Sequence, residues 1–282
     1  MTTVPASDTA APATANQTKA AGNVSVISAL AGREFTRFIR QRSRVAGSIG
    51  QPVMFWLVLG AGLSPSFDGS GVGGISYMEY FYPGILMMMV LFASIFSTIT
   101  VIEDRDAGFL QGVVTAPVPR ITIVLGKILG GTSIALFQAV ILLLAAPFLD
   151  FPMGLANVPL VLFALILVAL GYTGLGFMIA WGMSTTSGFH AIMMLVMMPM
   201  WFLSGALFPM EGVNMLLQAL MWINPVTHGL ELVRIPFYAP FLEVITDGRW
   251  LASLAVVLVW VVVALWASAR RVGRPDRGAP IA

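Results

Sequence analysis

Residues 80–106 read YFYPGILMMMVLFASIFSTITVIEDRD. No residue from Tyr80 to Val101 carries a charge, and a helix of that length, rising 1.5 Å per residue, crosses the roughly 30 Å hydrocarbon layer of a bilayer. Three acids and an arginine then end the run at Glu103, Asp104, Arg105 and Asp106. Apolar runs of similar length occur at 46–64, 128–149, 158–183, 190–208 and 251–269. Together with 80–101 they predict an all-α integral membrane protein of six transmembrane helices.

Composition agrees with that reading. The chain of 282 residues is 58% apolar and only 10% charged, with a mean hydropathy of +0.89. A soluble domain carries about 25% charged residues, so this chain could not cover its own surface in water. Its partner on that count is the lipid bilayer. A net charge of +2 gives no sign of nucleic-acid binding. Cysteine is absent and only His190 and His228 are available, so thiolate chemistry is excluded and there is little material for metal ligation.

Outside the spans the chain divides simply. Residues 1–23 are rich in Ala, Thr, Ser, Pro and Asn, with no apolar run behind a basic one, and are expected to be a disordered cytoplasmic tail rather than a cleaved signal. Residues 24–45 form an amphipathic helix in which Ile27, Leu30, Phe35, Phe38 and Ile39 oppose Arg33, Arg37, Arg40 and Arg44. Such a helix lies among lipid headgroups, or serves as a basic anchor before the first span. The six-span domain covers 46–272, and 273–282 is a short cytoplasmic tail. Between the last two spans, Met215–Ile223 is apolar but too short to cross, and Asn224-Pro225 breaks it before a second amphipathic piece, Val226–Phe241. Two short re-entrant helices at the outer leaflet fit this pattern.

Orientation follows from the cations. With the N-terminus inside, Lys19, Arg33, Arg37, Arg40, Arg42, Arg44, Arg105, Arg120, Lys127, Arg270, Arg271, Arg274 and Arg277 all fall on the cytoplasmic side. Only Arg234 and Arg249 remain outside, so both termini are expected in the cytoplasm and the number of crossings even. No Asp, Glu, Lys or Arg falls near the middle of a span; Glu79 and Asp150 sit at outer ends, Glu103 and Lys127 at inner ends. A central charge costs at least about 2.5–3.5 kcal/mol and is kept for a purpose such as proton or sodium coupling. Energy for transport should then come from elsewhere. Gly126-Lys127-Ile128 is no phosphate loop, because Ile121 and Ile128 stand where a glycine and a magnesium-binding hydroxyl are needed.

The segment from Glu103 to Arg120 opens on four consecutive charged residues and ends on a fifth. Its acids suit a helix N-terminus, Phe109, Leu110, Val113 and Val114 make an apolar face, and Pro117 and Pro119 stop the helix. It reads as a short amphipathic helix, either presented to a cytoplasmic partner or resting on the membrane surface. Tyr82-Pro83-Gly84, the run through Glu103–Arg120 and Val124-Leu125-Gly126-Lys127 together resemble the type-2 ABC transporter permease family. Phe202-Leu203-Ser204-Gly205-Ala206-Leu207-Phe208-Pro209, followed by Ile223-Asn224-Pro225, resembles the same family's fifth span and outer re-entrant helices. The resemblance covers about 25–272 and is closest to the bacterial drug, polyketide and glycolipid exporter branch.

That resemblance implies a six-span subunit working with a second copy of itself or a close relative. A cytoplasmic ATPase subunit would bind the ATP and magnesium, leaving no cofactor on this chain. It implies that Glu103–Ala116 is the coupling helix, with Glu103, Asp104, Arg105, Asp106, Gly108, Phe109, Leu110, Val113 and Pro117 meeting the ATPase, and that Arg33, Phe35, Arg37 and Phe38 belong to a connecting helix bracing the same interface. It also implies export from the bacterial cytoplasmic (inner) membrane, as in multidrug resistance. Asp106 departs from the glutamate found in many relatives but keeps the charge.

The remaining motifs are weaker. Met87, Met88, Met194, Met198 and Phe202 could line the path of a bulky hydrophobic substrate, since thioethers make an adaptable apolar surface; copper(I) is the other reading of the methionines. Ser204-Gly205 with a histidine would suggest an intramembrane hydrolase, but Phe202 occupies the glycine position of that motif. A channel or a secondary carrier of the same six-span architecture is the remaining alternative.

Overall fold

A computed structural model describes residues 18–67, 74–110, 112, 118–149, 154–210 and 212–273, and all regular structure among them is helical. Asp150, Val113, Pro117, Arg274 and Arg277 lie outside the described residues, as does most of the N-terminal tail. Helix α1 (Thr18–Arg40) breaks at Gln41, and α2 (Arg42–Leu63) carries the first span. The amphipathic segment therefore ends earlier, and the first span begins earlier, than the arginine pattern suggested. Next comes α3 (Tyr77–Ser97), capped by a reciprocal pair of bonds: the Glu79 N–H donates to the Ser76 hydroxyl, and the Ser76 N–H donates to the Glu79 carboxylate. After a turn at Thr98, α4 (Thr100–Asp106) continues the same span.

The bundle is completed by α5 (Arg120–Leu143), α6 (Val158–Trp181), α7 (Thr186–Phe202) and α11 (Gly248–Gly273). Between the last two lie α8 (Met215–Ile223), α9 (Pro225–Tyr238) and α10 (Phe241–Thr246). Five described segments are long and apolar enough to cross a membrane: Arg42–Ser66, Tyr77–Asp106, Arg120–Leu143, Leu155–Trp181 and Gly248–Val272. The run expected as the fifth span, 190–208, is helical only to Phe202, and α7 has 17 residues. At 1.5 Å per residue it is shorter than the hydrocarbon layer.

Burial ranks these helices. In the most apolar stretch of the span beginning at Tyr77, 83% of the residues are buried within the subunit, against 11% in that of Arg42–Ser66 and 28% in that of Gly248–Val272. Helix α3 is thus the core, packed by α5, α6, α9 and α2, while α2 and α11 present most of their apolar surface outward. The short helix α9 runs deep into the bundle rather than resting on it. Val226, Leu230, Val233 and Phe237 recur at helical spacing and are all buried. The Asn224 side chain accepts the Val226 N–H at 3.0 Å and Pro225 starts the helix, so the Asn-Pro pair that breaks α8 also launches α9. Aromatic tips pin the arrangement: Trp201 Nε1 donates to the Gly84 carbonyl at 2.9 Å, and the Tyr77 hydroxyl to that of Leu207 at 3.0 Å.

Candidate functional site

At the arginine-rich end of the bundle α1 lies directly on α5. A methyl group at Gly126 would sit 2.8 Å from the Leu30 Cβ, and one at Gly130 would sit 2.8 Å from the Glu34 Cβ. Only the missing Cβ atoms allow this approach. It buries Leu30 and Phe38 and carries Glu34 inside with them. Lys127 follows Gly126 on the same face, and Asp104 arrives from α4; all three side chains are only 3% exposed.

These groups form one network. Lys127 Nζ donates to Glu34 Oε1 at 2.6 Å and also to Asp104. The Arg33 guanidinium grips Asp104 with two parallel bonds of 2.9 Å and reaches Glu34 at 3.1 Å. Arg37 donates to Glu103 at 2.6 Å and to Asp104 at 3.4 Å. Three cations thus meet three carboxylates, in the bidentate geometry that suits arginine. The bonds to Asp104 hold the Arg33 guanidinium above its ordinary pKa, against the opposing effect of partial burial. Residues from three helices far apart in sequence are locked together, and the guanidinium of Arg33 also lies 3.9 Å over the Phe109 ring.

This corrects where the acids of Glu103–Ala116 sit; residues 111 and 113–116 of that stretch lie outside the described residues. The acids do not open a new helix; they occupy the last turn of the second span, and Gly108, with φ +73°, ends it. Carboxylates at a helix C-terminus are disfavoured by the dipole, and here Arg33, Arg37 and Lys127 compensate them. Arg105, expected to face a partner, instead donates to the Trp181 and Met183 carbonyls at 2.6 and 2.9 Å, capping α6. Leu110 is buried inside the subunit, while Asp106 is exposed. Phe35 packs edge-on against Phe137 of α5, and with Arg33, Arg37 and Phe38 it joins α1 to the bundle.

Beside the junction, a cavity of about 260 Å³ opens between α1 and α2 on one side and α3, α5 and α7 on the other. Met88, Met89, Phe92, Phe96, Met194 and Met198 form its apolar wall, and Arg37, Arg44, Gln51 and His190 its polar edge. The His190 ring stacks on Phe96 at 4.4 Å. Of the expected path residues, Met88, Met194 and Met198 come together here. Met87 points instead to Gly229 of α9, and Phe202 lies outside the cavity, its ring tilted against Trp201. The Ser204 hydroxyl donates back to the Trp201 carbonyl at 2.6 Å, and His228 pairs with Ser253 and the Trp222 carbonyl. No serine–histidine pair forms at Ser204.

Glu34, Phe92 and Phe96 are site residues that the sequence reading passed over, and Lys127 entered it only as an inner-end cation and as part of a motif. Glu34 had a visible signal, since it falls one turn from Leu30 and from Phe38 on the apolar stripe of α1.

Residues 25–238 match the family described as ABC-2 type transporter. The chain is 26% identical over 208 residues to a relative named transport permease ycf38 from Cyanophora paradoxa, covering 73% of this chain and 71% of that one. It is 30% identical over 197 residues to nodulation protein J of Rhizobium leguminosarum bv. trifolii, covering 67% and 71%. It is 26% identical over 199 residues to a chain of Escherichia coli (strain K12) named as the multidrug ABC transporter permease YbhR, covering 70% of this chain and 54% of that one.

Proposed function

This chain belongs to the ABC-2 type transporter family, and on that premise we propose that it exports a hydrophobic or amphipathic molecule such as a drug, polyketide, lipid or glycolipid. Membership makes it the transmembrane subunit of an ABC transporter. The proposal adds direction, substrate class and assembly. ATP is hydrolysed by a separate cytoplasmic subunit, a second copy or a close relative completes the path, and the arginine-rich end faces the cytoplasm of a bacterial inner membrane.

The observation that carries the substrate class is the cavity beside α3. Its wall of methionine and phenylalanine recognises apolar bulk and shape rather than a polar pattern, while Arg37, Arg44 and Gln51 give one end a polar edge. The name of the multidrug relative is in keeping with such a wall. The junction supports the mechanism. A partner pushing on the segment after Gly108 would move α4, and the charge network would carry α1 and α5 with it. Because α4 continues α3, the displacement reaches the helix that supplies Met88, Met89 and Phe92 to the cavity.

The test uses sealed vesicles holding the chain and its cognate ATPase. Efflux of a fluorescent amphiphile should begin on adding ATP and continue with a protonophore present. Efflux that needs no ATP and collapses with the protonophore overturns the reading in favour of a secondary carrier.

A further inference from the structure

At the opposite end of the bundle a second cavity, of about 450 Å³, opens between the start of α3, the turn after α7, and α9. Its polar wall is Tyr80, Gly205, Glu231, Arg234, Tyr238 and Arg249. We propose that this cavity binds a phosphate-bearing anion, with Arg234 and Arg249 as the receptor groups. The assignment stands apart from the transport reading, because it rests on the charge balance of this cavity alone.

Arg234 and Arg249 are the two cations left over when the rest of the chain's lysines and arginines are assigned to the other end, and both line this one cavity. Neither has a carboxylate within ion-pairing distance among the described residues. Of the described acids nearby, Glu231 shares the cavity wall with the two arginines, and each is hydrogen-bonded to another group. Glu231 accepts the Ser253 hydroxyl, Glu79 accepts the Ser76 N–H at 2.6 Å, and Asp247 accepts the N–H groups of Arg249 and Trp250 at 2.7 and 2.9 Å.

Arg234 is held in place without an ion pair to any described carboxylate. Nη2 donates to the Gly205 carbonyl at 2.7 Å, Nη1 approaches the Tyr80 hydroxyl at 3.4 Å, and the guanidinium lies 4.4 Å over the Tyr80 ring. Nε is buried with no partner. A guanidinium has five N–H donors; with Nε enclosed and one hydrogen of each Nη engaged, one hydrogen on each Nη remains for a ligand. Tethering the turn at Gly205 needs one of those donors and no charge balance. Two guanidinium groups on the wall of one partly enclosed cavity supply the forked donors and the positive charge that a phosphate takes. Leu230 and Ile235 beside them suit the chain of a phosphoester. That phosphate could belong to a lipid of the adjoining leaflet or to a smaller phosphorylated molecule.

The full chain in neutral detergent is titrated calorimetrically with dihexanoylphosphatidylglycerol, with inorganic phosphate, and with dihexanoylglycerol, which lacks the phosphate. Saturable binding of the phospholipid is expected, with none for dihexanoylglycerol. Binding of inorganic phosphate as well shows that the free anion suffices; binding of the phospholipid alone assigns the site to a lipid. Arg234→Lys, which keeps the charge but loses the fork, and Arg249→Gln should each weaken binding roughly tenfold or more, as removing a charged hydrogen bond does. Arg249 has no side-chain partner among the described residues, so its variant tests the site even where changes at Arg234 disturb the fold. Absence of saturable binding by both phosphate compounds, equal binding of dihexanoylglycerol, or unchanged affinity in both variants overturns the assignment.

Discussion

The two ends of this bundle use the same chemical groups and leave them in opposite states. At the arginine-rich end, Arg33, Arg37 and Lys127 are matched by Glu34, Glu103 and Asp104, and three of the six side chains are almost wholly enclosed. At the other end, Arg234 and Arg249 line a cavity while the neighbouring carboxylates turn to a hydroxyl or to backbone N–H groups. A closed set of ion pairs fixes helices to one another. A set with cations to spare has capacity for something not yet bound. Charge content alone separates the two poorly; what separates them is where each carboxylate's hydrogen bonds go.

The largest expected effect comes from breaking the closed set. Lys127→Met keeps the length and the apolar stem but leaves Glu34 and Asp104 facing each other's charge in a buried site. Removing one member of a buried pair costs about 3–5 kcal/mol. Unfolding of the purified chain in detergent should show that loss. Adding Glu34→Gln to the same chain should recover much of it, because Arg33 and Arg37 still serve Asp104. A cost below about 1 kcal/mol for Lys127→Met would mean that the junction is wet and the comparison mistaken.

A smaller loss is expected from prising α1 off α5 while every charge stays. Gly130→Leu would drive a side chain into the Glu34 Cβ, 2.8 Å from the first added carbon, with the α1 backbone at Ala31 only 3.3 Å away. Overpacking of this kind costs about 1–3 kcal/mol. Limited proteolysis should then cut at Gln41, between α1 and α2, faster than in the parent chain. Equal cleavage rates would show that α1 is held by the ion pairs alone.

Much of the architecture was legible because it rests on properties of short stretches. Uncharged runs of about twenty residues gave four of the spans and the core of a fifth, and Asn224-Pro225 gave the break before α9. The junction was harder, since Lys127 meets partners 93 and 23 positions away, a separation that local periodicity does not encode. Acids before an apolar run read naturally as a helix N-terminus. Here three cations from other helices outweighed that preference and left the acids at a C-terminus. The depth of α9 was hidden for a related reason. Glu231 and Arg234 mark it as amphipathic, but its polar face meets Ser253, Tyr80 and the Gly205 carbonyl along one wall of a cavity, not the open surface of the bundle. The shortness of α7 was missed because residues 203–208 are as apolar as the helix before them, and only Gly205, with φ +82°, marks the turn.

The smallest effect is expected at Glu79, and it tests the open end from the side of its carboxylates. Glu79 serves α3 by accepting the Ser76 N–H within the capping box. Glutamine can accept the same bond, so Glu79→Gln removes only the attraction of a negative charge for a helix N-terminus, worth about 0.3–1 kcal/mol. If Glu79 does nothing more, the variant should melt close to the parent chain and keep ATP-dependent efflux that a protonophore does not alter. If instead this carboxylate carried protons, its loss would abolish efflux while stability stayed within that small range. Under that outcome the far-end acids would be working groups rather than local caps. The contrast between a saturated end and an end with spare cations would then have to be redrawn around a proton path.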